Sequence, residues 1–176
     1  MVVKEGISRS SLQYLVQQGN LERASRGVYT LPEVWEDEFV ILQSRYKRGI
    51  YSLDTVLFLT DLTDRTPIRF NMMFPYGYNL TNPKADGILC RSIRSSLYDV
   101  GISELVTPSG NTVRGYSVER TLCDILQPRY HTDIQIITEA FKRYIKRTKK
   151  NIPLLSEFAK LLKVEDKVRS YLEVLL

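Results

Sequence analysis

The stretch 6–31, GISRSSLQYLVQQGNLERASRGVYTL, decides how the N-terminal part of the chain folds. Ser8 or Ser10 can cap the beginning of a short helix, because their hydroxyl groups accept hydrogen bonds from the first free backbone N–H groups. Apolar residues follow at spacings of three and four, which predicts a buried stripe on one side of the helix: Leu12, Leu15 and Val16. Gly19 then tolerates the positive φ that often ends a helix.

A β-hairpin is predicted directly after this helix. Residues 21–24 and 28–31 have strand character, and Gly27 between them suits a three-residue hairpin. A helix followed by such a hairpin is typical of a helix-turn-helix with a wing, in which the helix contacts base edges and the wing contacts phosphates. The side chains that we expect to contact DNA are Arg9, Ser10, Gln13, Tyr14 and Gln17 on the helix, and Arg23 and Arg26 on the wing.

The same stretch resembles a known family of regulators. It contains G-I-S-R, a helix that ends in G-x-L, and then R-x-x-R-G-V-Y. This pattern is similar to the N-terminal winged-helix module of AbiEi-type antitoxins, which belong to abortive-infection toxin–antitoxin systems. Only five residues precede Gly6. We therefore expect the first helices of that module to be missing. Either the chain is a truncated form, or the remaining pieces of the module lean on the second domain.

The remainder of the chain has the pattern of a mixed α and β domain. Helices are predicted at about 36–46 and 53–62, followed by strands at 68–74, 87–94, 104–107 and 112–116, with residues 76–83 as loop and a turn at 108–111. Further helices are predicted at 117–126, 133–148, 153–162 and 166–176. The expected fold class is α+β. A winged helix-turn-helix at 1–34 precedes a domain at 35–176 that has a small, mostly antiparallel sheet and a C-terminal helical layer.

A second resemblance lies in this domain. The segment SVERTLCDIL at 117–126, preceded by GISELVTPSG at 101–110, strongly resembles the signature helix of the C-terminal domain of AbiEi-type antitoxins. The resemblance implies an antitoxin of a type IV system for phage defence that represses its own operon by binding inverted repeats in promoter DNA. It also implies that the C-terminal domain counteracts a nucleotidyltransferase-like toxin without requiring a stable complex.

Positive charge is concentrated towards the C-terminal half. The chain carries 25 basic and 20 acidic residues, and segment 129–150 alone has seven basic and two acidic residues. Six cations fall within nine residues: Lys142, Arg143, Lys146, Arg147, Lys149 and Lys150. Two interpretations remain open, a solvated helix face or a patch that contacts phosphates of RNA or DNA. The patch supports an alternative function, a non-enzymatic RNA- or protein-binding module that lacks operator recognition.

Residues typical of catalysis or metal binding do not form a recognisable motif. Two cysteines and one histidine are too few for a zinc site of about four ligands, and the chain has no nucleotide-binding loop. We interpret Asp61 and Asp64 as helix caps, and Glu119, Arg120 and Asp124 as an arginine–carboxylate set that fastens a helix to the sheet. We therefore expect no enzyme activity, metal or cofactor. Since no run approaches about 18 apolar residues, we expect no membrane association and a cytoplasmic location.

Overall fold

The structure is a computed structural model that describes residues 8–25, 28–30 and 37–175. These residues fall into two compact units, one within Met1–Lys47 and one within Arg48–Leu176. The fold is α+β, as the sequence predicts. The domain boundary that we placed after residue 34 stays a prediction.

The first unit begins with the helix and the hairpin. Helix α1 spans Arg9–Gln17, and its beginning is capped by the Ser8 hydroxyl, which accepts a hydrogen bond from the backbone N–H of Ser11 at 3.1 Å. After α1, Gly19 has a φ of +73°. Strands β1, Glu22–Ser25, and β2, Val28–Thr30, pair antiparallel. The predicted helix and hairpin are therefore confirmed.

The complete helix-turn-helix stays a prediction. It needs a second helix that packs behind α1, and residues 8–21 contain α1 as their only helix. Helix α2, Glu38–Arg45, follows the hairpin and contacts β1. Asp37 caps α2, because its carboxylate accepts a hydrogen bond from the backbone N–H of Phe39 at 3.0 Å.

The second unit is built on a sheet that has five strands in the described part of the chain. In chain order these strands are β3, Ile50–Tyr51; β4, Asn71–Pro75; β5, Leu89–Ile93; β6, Ile102–Val106; and β7, Thr112–Tyr116. Their spatial order is β5-β4-β3-β7-β6. The pairs β3–β4 and β6–β7 are antiparallel, whereas β4–β5 and β3–β7 are parallel.

The prediction of a mostly antiparallel sheet is therefore wrong, because the sheet is mixed. Two features that local sequence patterns do not reveal cause the difference. Helix α4, Thr81–Ala85, lies in the segment predicted as loop, and it forms a crossover that makes β4 and β5 parallel. Strand β3 is only two residues long, and it pairs with β7 in parallel at Tyr51 and Gly115.

Helices cover the core side of this sheet. They are α3, Leu53–Leu59; α5, Ser95–Tyr98; α6, Val118–Ile125; α7, Ile134–Lys146; α8, Ile152–Leu162; and α9, Glu165–Leu175, with a 3-10 turn at Pro128–Tyr130. Ile50, Met73 and Tyr116 of the sheet share one hydrophobic core with residues of α6 to α9. Helix α6 contacts α3, α7 and α8, so it lies at the centre of the unit.

Candidate nucleic-acid interface

Helix α1 presents a polar face to solvent. Its buried side is anchored by Leu12, while Ser10, Gln13, Tyr14 and Gln17 are exposed. These four residues are spaced by three, four and seven positions from Ser10, so they lie on one side of the helix. Tyr14 is 60% exposed, so its ring is accessible on this face. The structure thus brings together four of the five helix residues that we expect to contact DNA.

The remaining predicted contacts are described only in part. Arg23 lies in β1 and its side chain is exposed. Arg9 is the first residue of α1, but its side chain lies outside the described set, and Arg26 lies outside the described residues. The contacts of all seven residues with DNA stay predictions.

The cationic run at 142–150 contains two arginines that have partners within the fold and four lysines that are exposed. The two arginines have partners on the segment after α3. The guanidinium of Arg143 forms a bidentate ion pair with the carboxylate of Asp64 and a second ion pair with Glu139 at 2.7 Å. Arg147 donates a hydrogen bond to the backbone carbonyl of Thr60. Both arginines therefore fasten α7 and its C-terminal end to residues 60–64.

The ion pair with Arg143 corrects our interpretation of Asp64 as a helix cap. Its carboxylate points at α7 instead, and the hydrogen bond from Arg143 lowers the pKa of this carboxyl group. Asp61 is exposed and has a φ of +54° directly after the end of α3. Among the residues that the structure describes, no group of three or more histidine, cysteine or acidic residues is placed to hold a metal ion.

The four lysines of the run face solvent. Lys142, Lys146, Lys149 and Lys150 are all exposed, and none of them is part of an ion pair within the described ranges. The ammonium group of Lys150 donates a hydrogen bond to the backbone carbonyl of Arg147 at 3.3 Å. Side chains of α7, among them Lys142 and Lys146, line an open groove of about 510 Å³.

Arg65 is a further cation at this surface, and we did not predict it from the sequence. Its guanidinium donates a hydrogen bond to the side-chain oxygen of Gln135, near the beginning of α7, over 3.5 Å. Gln135 also lines the groove. Since Arg65 and α7 are about 70 residues apart in the chain, no local sequence pattern could have connected them.

The polar residues of α6 form a buried structural network. Arg120 is fully buried, and its Nε donates a hydrogen bond to the Asp124 carboxylate at 3.0 Å. Its Nη1 donates to the backbone carbonyls of Leu97 and Val100 at 3.2 and 2.9 Å. The guanidinium also lies over the ring of Tyr116, 4.8 Å from the centroid.

These contacts confirm the structural interpretation of the set. Arg120 fastens α6 to the backbone of Leu97 in α5 and of Val100 before β6, and its guanidinium also contacts Tyr116 of strand β7. Burial raises the pKa of the Asp124 carboxyl group to about 6, while the neighbouring Arg120 opposes this shift. Glu119 accepts a hydrogen bond from the Tyr144 hydroxyl at 2.9 Å, and that hydroxyl also accepts one from the backbone N–H of Asn151.

Comparison with known proteins finds a family match in the N-terminal stretch. Residues 1–32 match the model of the AbiEi_4 family, which is described as a transcriptional regulator and AbiEi antitoxin. The resemblance that we inferred from the sequence is thereby confirmed over those residues. No curated protein matches the chain. In the described part of the chain, no helix has the length and apolar character needed to cross a membrane.

Proposed function

We propose that this protein is a DNA-binding antitoxin that represses transcription of its own operon within a type IV toxin–antitoxin system for phage defence. The family match over residues 1–32 carries this proposal. It is supported by the exposed polar face of α1, which has the residue types and spacing of a recognition helix. The target is an inverted repeat in promoter DNA.

The second unit, in this proposal, counteracts a nucleotidyltransferase-like toxin in the cytoplasm without forming a stable complex with it. In this role the second unit is not an enzyme, because it makes or breaks no covalent bond. This is supported by the positions of Glu119, Arg120 and Asp124, the strongest candidates for chemistry, whose side chains hold the fold together. A purified sample should therefore show no nucleotide transfer or nucleic-acid cleavage with added Mg²⁺.

Binding of the full-length chain to a duplex from its own promoter tests the DNA-binding proposal. We expect Gln13→Ala to reduce the preference for this duplex over a scrambled one by about tenfold, because a base contact is lost. The double variant Arg23→Ala/Arg26→Ala should weaken binding to both duplexes equally. It should also make the slope of log K against log salt shallower by about 1.8, since two phosphate contacts are lost.

Two exposed cations of the second unit provide a matched control. Lys84→Ala/Arg94→Ala removes the same charge from positions outside the proposed interface, so both the preference and the salt slope should stay near those of the wild type. If the wild type binds promoter and scrambled duplexes equally, the operator-binding proposal is wrong. An unchanged slope in the Arg23 and Arg26 variant would remove those residues from the interface.

The distribution of charge favours a second candidate function. Residues 1–47 carry six basic and six acidic side chains, whereas residues 48–176 carry 19 basic and 14 acidic ones. A binding module that recognises RNA or a protein through its second unit, without operator recognition, would show this distribution. Under this alternative, replacement of the six residues of the cationic run by glutamine should abolish antitoxicity and leave any promoter binding unchanged.

A further inference from the structure

The net positive charge of the chain lies entirely in the second unit. Since residues 1–47 are balanced, the whole excess of five positive charges belongs to residues 48–176. Segment 142–150 contributes six basic residues and no acidic residue. An anionic partner of the second unit would therefore meet its strongest attraction at this segment.

The contacts within the fold reveal which of these cations are available. Arg143 is paired with Asp64 and Glu139, and Arg147 is bonded to the Thr60 carbonyl. Four exposed lysines remain, and the described residues place no carboxylate in an ion pair with any of them. The arginines thus hold the segment in place, and the lysines form its charged surface.

The four lysines lie within nine residues of the chain, and like charges at short spacing repel each other. Lys142 and Lys146 are one turn apart on the same side of α7, about 6 Å along the helix axis. Lys149 and Lys150 lie three and four residues after the last residue of the helix, and Arg65 adds a cation near its beginning. A bound polyanion would relieve this repulsion and would gain entropy by releasing its own counterions.

We propose that Lys142, Lys146, Lys149 and Lys150 form a binding surface for the phosphate backbone of a nucleic acid. A nucleic acid fits better than an acidic protein, because lysine is depleted at protein–protein interfaces whereas phosphate contacts use it widely. None of the described residues that line the groove is aromatic, so no base stacks there. The surface therefore binds without sequence preference and separately from the α1 face.

Replacement of all four lysines in the full-length chain tests this surface. The variant is Lys142→Gln/Lys146→Gln/Lys149→Gln/Lys150→Gln, and the probes are a 30-nucleotide poly(U) RNA and a scrambled 30-base-pair DNA duplex. At low salt we expect affinity for both probes to fall by about tenfold or more. The slope of log K against log salt should become shallower by about 2.8 for the RNA and about 3.6 for the duplex, for four lost phosphate contacts.

A charge-matched variant separates this surface from the effect of net charge. Lys84→Gln/Arg94→Gln/Lys160→Gln/Arg169→Gln removes four exposed cations elsewhere on the second unit, and it should bind both probes nearly as well as the wild type. Equal losses in the two quadruple variants would overturn the proposal, as would wild-type binding in the lysine variant. Lysine-to-arginine replacements at the four positions should retain binding, and thermal unfolding should show that all variants are folded.

Two further measurements complete the test. Poly-glutamate should compete with the RNA much less well than poly(U) of equal charge, and equal competition would overturn the proposal in favour of an acidic protein partner.

The lysine variant should keep its preference for promoter over scrambled duplex, while Arg23→Ala/Arg26→Ala should keep most of its RNA affinity. If both variants lost RNA binding to the same extent, the four lysines would not form a surface separate from the α1 face and the wing. This conclusion would hold whatever the outcome for operator recognition.

Discussion

At the scale of single residues, Arg120 is the most buried of the charged side chains that the structure describes. It is fully buried, and an unpaired charge in that position would be very costly. The sequence indicated its pairing with Asp124, because the two residues are four apart on a helix. It could not indicate the carbonyls of Leu97 and Val100, which lie 20 or more residues earlier in the chain.

Replacement of Arg120 should be strongly destabilising. We expect Arg120→Met to lower the free energy of unfolding by about 3–5 kcal/mol, because it leaves the buried Asp124 carboxylate without its cation. Urea denaturation followed by circular dichroism measures this. Arg143→Met is the control, since it removes a partly exposed ion pair and should be much less destabilising than Arg120→Met.

The double variant Arg120→Met/Asp124→Leu distinguishes the effect of the lost ion pair from the effect of altered packing around residue 120. It should be more stable than Arg120→Met alone, because no unpaired carboxylate is left in the interior. A loss below about 1 kcal/mol for Arg120→Met would contradict the role that we assign to this pair.

At the scale of elements, strands β5, β4 and β3 are joined to strands β7 and β6 at a single residue pair. Strands β3 and β7 pair in parallel through Tyr51 and Gly115. A side chain at Gly115 would force Leu105 to move, because a Cβ atom there would overlap Leu105 Cδ1 and lie 3.4 Å from Tyr51 Cβ. Glycine at this position therefore permits the close approach of β7 to its neighbours.

Replacement of this glycine should strain the sheet. We expect Gly115→Ala to destabilise the protein by about 1–3 kcal/mol through overpacking, as measured by urea denaturation. Thr112→Ala in the same strand is exposed and should change stability by less than about 0.5 kcal/mol. Combination of Gly115→Ala with Leu105→Ala should cost less than the sum of the two single changes. Full additivity would argue against a clash between these residues.

Elements with local signals were predicted well, and those that depend on distant partners were not. The hairpin of β6 and β7 was predicted because Pro108 and Gly110 mark a tight turn between two short strands. Helix α4 was missed, since five residues around Pro83 carry no helical periodicity. Strand β3 was missed because two residues become a strand only when β4 and β7 flank them.

At the scale of the whole molecule, the main hydrophobic core belongs to the second unit alone. Every residue of this core lies between Ile50 and Leu175, and the sheet of five strands is complete within the same segment. A fragment of residues 48–176 should therefore fold by itself and unfold in one cooperative transition.

Urea denaturation of this fragment, compared with the full-length chain, tests the independence of the second unit. We expect a single sigmoidal transition by circular dichroism and by tyrosine fluorescence, with coincident midpoints. A gradual, non-cooperative loss of structure in the fragment would show that the first unit is needed for the core to form.

The sequence by itself determined the local elements, the cationic run and the similarity of residues 1–32 to antitoxin regulators, because each depends on neighbouring residues or on residue types alone. Only the tertiary structure decided that the sheet is mixed, that Arg143 and Arg147 have partners, and that four lysines remain exposed. The physical reason is that the partners of these residues are set by packing between distant segments. Whether a charge is structural or available depends on those partners.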